Sequence, residues 1–125
     1  MKQSVDIRIL AGDLTFRKIS YIAVNVFAAA KNGQDTDRQL NIFCLQGYMA
    51  KPGDIVIIDT DFEEHIPGGF VVKALERGFK ALLIVIYADV SEIPRFMPLE
   101  IYAVVWKRRL EVELMEILTG IFLRD

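Results

Sequence analysis

Three short apolar runs in the second half of the chain limit what it can fold into: Ile55–Ile58, Ala81–Ile86 and Ile101–Val105. Ile55–Ile58 reads as a strand buried on both faces, Ala81–Ile86 as a second buried strand and Ile101–Val105 as the third strand. Between the first two runs lies a helical signal, from Pro67 or Gly68 to Arg77. Val71, Ala74 and Leu75 form its inner face, and Gly78 suits the left-handed residue that closes a helix. Buried strands joined by a helical crossover run parallel, with a right-handed connection.

The rest of the chain is read around this frame. Lys51-Pro52-Gly53-Asp54 is a turn, Asp59–Pro67 a connector, and Ser91–Phe96 a helical turn interrupted by Pro94. Leu110, Leu114, Ile117, Leu118 and Ile121 make one apolar stripe at helical period. Glu111, Glu113 and Glu116 are expected on its solvated side. Upstream, Val5–Leu10 reads as a strand and Ala11-Gly12-Asp13 as a turn. Ile19–Val26, rich in β-branched residues, predicts a second strand, and Lys31–Arg38 a surface loop. Gln39–Tyr48 fits either a strand or a helix, with strand preferred. The expected fold class is α/β: a single domain over residues 1–125 with a mainly parallel sheet, a βαβαβ-α C-terminal half, and helices packed on the sheet.

Composition narrows the functional classes. Hydrophobic residues make up 53% of the chain and charged residues 26%, which argues for a globular core and against disorder. A net charge of −2 lacks the basic surplus of a nucleic-acid binder. The single cysteine, Cys44, cannot form an internal disulfide; it is expected to be a small buried hydrophobe in a reducing compartment. The N-terminus has no signal-peptide pattern, and no apolar run is long enough to span a bilayer. A cytoplasmic location without a membrane partner is expected.

In an open parallel sheet, ligands collect beyond the carboxyl ends of the strands. The first buried strand ends in Asp59, Thr60, Asp61, Glu63, Glu64 and His65, followed by Pro67-Gly68-Gly69. The second ends in Tyr87, Asp89 and Ser91, and the third in Trp106, Lys107, Arg108 and Arg109. Asp59, Asp61 and Asp89 could hold a divalent ion or accept a phosphoryl group, with Lys107 neutralising it. Receiver domains of two-component signalling use such an arrangement, on a five-fold βα repeat that the strand pattern here does not show. Plain acidic loop residues are the simpler account. Free amides at Pro67-Gly68-Gly69 could bind an anion, but no dinucleotide-binding or P-loop glycine pattern is present. His65, the only histidine, has no metal-ligand spacing and no nucleophile elbow beside it. Trp106 with Lys107-Arg108-Arg109 could stack on a base, although a solvated linker explains those residues as well.

The segment from Gly53 to Phe122 resembles the N-terminal domain of PucR-type transcriptional regulators, a family named for purine catabolism. The matching elements are Gly53-Asp54 with Ile55–Ile58, Ala74-Leu75-Glu76-Arg77-Gly78, Ala81–Ile86, Ile93-Pro94, Ile101–Val105 and Leu110–Phe122. DRTGG-type regulatory domains share much of this layout. One departure is Asp59-Thr60-Asp61, where the PucR family usually has Thr-Thr-Gly. The resemblance implies a signal-sensing or dimerisation domain of a transcriptional regulator, responding to a small, purine-related metabolite. It implies a homodimer, and DNA contact only indirectly, through an output domain absent from this chain. The expected ligand-binding positions are Asp59, Thr60, Asp61, Gly68, Gly69, Tyr87 and Asp89. No catalytic residue, metal or cofactor is expected. The alternatives are a receiver-like phosphoacceptor or magnesium-dependent enzyme using Asp59, Asp61 and Asp89, and a purely structural oligomerisation module.

Overall fold

A computed structural model describes residues 4–32, 38–45, 53–63, 81–96 and 100–124. Its strands are β1 (Ser4–Leu10), β2 (Gln39–Cys44), β3 (Ile55–Asp59), β4 (Leu82–Tyr87) and β5 (Ile101–Trp106). Its α-helices are α1 (Asp13–Asn32), a single turn α2 (Thr60–Glu63) and α3 (Leu110–Arg124). Short 3-10 segments cover Val90–Phe96 and Lys107–Arg109. The five strands form one sheet in the order β2-β1-β3-β4-β5, and every neighbouring pair is parallel. The expected α/β class and parallel sheet are therefore present. The sheet also extends through the first half of the chain, to five strands in all.

Register explains the core. Ile9 pairs with Ile57 and Ile57 with Ile84, so β-branched side chains align across one face. That face carries Ile7, Ile9, Ile55, Ile57, Ile84, Ile86 and Val105, packed with residues of α1 and α3. Leu10, Leu45, Val56, Ile58, Leu83 and Val85 form a second buried cluster, on the opposite face by the two-residue alternation of strands. Burying each such side chain stabilises the fold by about 1.5–3 kcal/mol. β3 and β4 have this two-sided burial, whereas β5 is an edge strand with Tyr102, Val104 and Trp106 exposed on one face.

Ile19–Val26 is not a strand but the middle of α1. Its buried residues are Ile19, Ile22, Ala23 and Val26, spaced at i, i+3, i+4 and i+7, while Tyr21 and Val24 are exposed. One buried stripe against the sheet and α3 outweighs the modest helix penalty of β-branched residues. Phe27 and Phe122 close the α1–α3 contact edge to face, with ring centroids 5.4 Å apart. In α3, Leu110, Leu114, Leu118, Ile121 and Phe122 are buried and Ile117 is half-buried.

Two further expectations change. Cys44 is exposed on the edge strand β2, so its apolar sequence neighbourhood does not make it a core residue. The expected loop Lys31–Arg38 is trimmed, because α1 runs to Asn32 and Arg38 is buried, donating through Nη1 to the Phe122 carbonyl at 3.0 Å. Gly53 sits in its predicted turn with φ 89°, a conformation that favours glycine. The predicted helix from Pro67 or Gly68 to Arg77 lies outside the described residues.

Candidate functional site

Asp59 ends β3, and alternation places it on the same face as Ile55 and Ile57, beneath α1 and α3. It is 2% exposed. A carboxylate in that position needs compensation, because an unpaired buried charge costs several kcal/mol. Lys107, the residue after β5, supplies it: Nζ lies 2.9 Å from Asp59 Oδ2 and 2.9 Å from Asp61 Oδ2. The Asp61 backbone N–H donates to Asp59 Oδ1 at 3.1 Å. Both oxygens of Asp59 are thus engaged, and one ammonium bridges two carboxylates.

The junction that carries Lys107 is fixed from both sides. β5 pairs with β4 up to Tyr87↔Trp106. Beyond it, the Trp106 N–H donates to Glu113 Oε1 at 3.0 Å. Glu113 is half-buried and ties the start of α3 to the end of β5, which corrects its expected place on a solvated face. Partial burial pulls the Lys107 pKa down, but the hydrogen bonds and charges of Asp61 and Asp59 outweigh it, so the pKa is raised overall.

The other expected ligand positions divide. Thr60 is fully buried directly after Asp59, and Tyr87 is half-buried at the end of β4. Asp89 is exposed and held locally: its Oδ1 accepts the Ser91 N–H at 3.0 Å, and that bond lowers its pKa. Glu92 Oε1 accepts the N–H groups of both Ala88 and Asp89, completing a helix-cap arrangement at the Val90–Phe96 segment. Among the described residues, no hydrogen bond or ion pair joins Asp89 to Asp59 or Asp61. Glu64, His65, Gly68 and Gly69 lie outside the described residues.

The residues present do not assemble a divalent-ion site. Among the described residues Asp59 and Asp61 converge, but both carboxylates are held by the Lys107 ammonium, and Asp89 is committed to its own turn. Among the described residues no group of three or more acidic, histidine or cysteine side chains could hold a metal. The chemistry this arrangement offers is that of a buried carboxylate and a part-exposed one sharing a single ammonium.

The expected binding positions omit Lys107, although the residue stands out in sequence as the first cation after an apolar strand. A strand over Ile19–Val26 would also leave out α1, which covers the sheet face that carries Ile55 and Ile57. The missed signal was the i, i+3, i+4, i+7 spacing of Ile19, Ile22, Ala23 and Val26.

No family model matches the chain, and a search of curated proteins also gives no match. Among solved structures, the chain is similar to the receiver domain of a response regulator from Rhodospirillum rubrum. The TM-score is 0.57 at 15% identity, and the match covers 96% of this chain and 92% of that one. The fold is receiver-like. In this receiver-like sheet Asp59 ends the central strand β3 and Lys107 follows the edge strand β5, two positions 48 residues apart in sequence. Among the described residues, no helix is both long and apolar enough to cross a membrane.

Proposed function

We propose that this domain is a signalling switch in which Asp59 accepts a phosphoryl group and Lys107 neutralises the added charge. The observation that supports it is the Asp59–Lys107 pair, 2.9 Å apart at the carboxyl end of the sheet. In the step envisaged, an Asp59 carboxylate oxygen attacks the phosphorus of a small acyl phosphate. A new P–O bond forms, the bond to the acyl oxygen breaks, and a carboxylate leaves with the electron pair. The phosphoryl group then competes with Asp61 for the single ammonium. Asp61 is 46% exposed at its side chain, so it can exchange that contact for water at little cost. Releasing Asp61 alters the β3–α2 and β5–α3 junctions together, and an equilibrium between two arrangements shifts. In this reading the domain is modified rather than turning over a substrate. A purine-related effector, a homodimer and PucR-type kinship form a second proposal, supported by the Gly53–Phe122 pattern alone.

The test is intact mass after incubation with acetyl phosphate, with and without magnesium. Addition of one phosphoryl group is expected, lost in Asp59→Asn and kept in Asp89→Asn. No addition, or addition that survives Asp59→Asn, overturns the reading.

A further inference from the structure

Beside Lys107, on the side facing α1, lies a cavity of about 300 Å³. Thr15, Lys18, Tyr21 and Ile22 line it from α1, and Lys107, Arg108, Leu110 and Glu111 from the β5–α3 junction. Besides Lys107, two cations, Lys18 and Arg108, line it against one carboxylate, Glu111. The Lys107 ammonium is committed to Asp59 and Asp61, so its contribution there is its stem and its field. Among the described residues neither Lys18 nor Arg108 has an ion pair.

We infer that this cavity binds a small organic phosphate without covalent chemistry, a site beyond the switch proposed above. A guanidinium matches a phosphate in two-point geometry, an ammonium adds a point charge, and the hydroxyls of Thr15 and Tyr21 can donate further hydrogen bonds. Ile22, Leu110 and the Tyr21 ring offer apolar surface for the organic part. The volume sits at the small end of ligand pockets, which selects a compact monoester over a large cofactor. A dianion held there also raises the negative charge around Lys107, which couples occupancy to the Asp59 pair.

Titration calorimetry of the whole chain with phenyl phosphate at low ionic strength tests this, with inorganic phosphate as the comparison. Saturable 1:1 binding is expected, tighter for phenyl phosphate than for inorganic phosphate and weaker as salt shortens the range of the charges. Lys18→Ala and Arg108→Ala are each expected to weaken binding on the order of tenfold, the loss of one charge-assisted contact. Both residues are exposed, so these variants keep the fold. Lys31→Ala, in the last turn of α1, is expected to bind as the parent does. Absence of saturable binding, equal affinity for the two ligands, or affinity indifferent to Lys18→Ala and Arg108→Ala overturns the inference. Phenyl phosphate is no acyl phosphate, so a negative outcome leaves the mass experiment on Asp59 standing.

Discussion

Replacing Lys107 by Met keeps most of the aliphatic stem and deletes the charge, leaving Asp59 buried with one backbone N–H as its remaining partner. Breaking a fully buried ion pair costs about 3–5 kcal/mol, whereas an exposed pair is worth about 0–1 kcal/mol. Here the Asp59 side chain is 3% exposed but the Lys107 side chain is 32% exposed, so water screens one end. A loss of about 2 kcal/mol lies between the two limits. For a domain of this size that corresponds to a fall in Tm of roughly 8 °C. The assay is thermal melting by circular dichroism at neutral pH on the parent, Lys107→Met, Asp59→Asn and the double variant. The double variant is expected to be more stable than the sum of the single losses implies, by about 1–2 kcal/mol, because each substitution removes the other's reason for cost. A Lys107→Met protein that melts within about 1 °C of the parent refutes the reasoning, and so do strictly additive losses.

The same pair gives a pH dependence of definite sign. The Lys107 pKa is raised in the folded state, so its stabilisation is complete below the unfolded lysine value and is lost as pH climbs through the folded one. The Tm gap between the parent and Lys107→Met is therefore expected to narrow as pH rises above about 10.5, and a widening gap in pH-resolved melts would reverse the sign. Two glycines should respond oppositely to alanine. A Cβ meets nothing within 4 Å at either Gly53 or Gly120, so the outcome rests on backbone conformation. Gly53→Ala, at φ 89°, should cost about 1 kcal/mol, and Gly120→Ala, inside α3, should stabilise by about 0.5–1 kcal/mol. Urea midpoints that move in the same direction for both would contradict this.

The sequence alone determined the apolar skeleton. Ile55–Ile58, Ala81–Ile86 and Ile101–Val105 can bury their runs only as strands in a covered sheet, and the stripe from Leu110 to Ile121 can only be a helix on it. Those constraints are local, written in a period of two or 3.6 residues; the three strands and the helix are all present, though β5 lies at the sheet edge with one face exposed. Composition misled where it was set against period: β-branched Ile19–Val26 has helical spacing, and packing along one face decided for α1. Cys44 shows the same limit, because an apolar neighbourhood does not say whether a strand lies at the centre or the edge. Strand order was left to the tertiary structure, since parallel pairing depends on how crossovers stack rather than on the strands themselves. That order is what brings Lys107 to Asp59 across 48 residues and opens a cavity against α1. A carboxylate and an ammonium attract at any sequence separation; only the packed sheet sets their distance to 2.9 Å and keeps most of the water away.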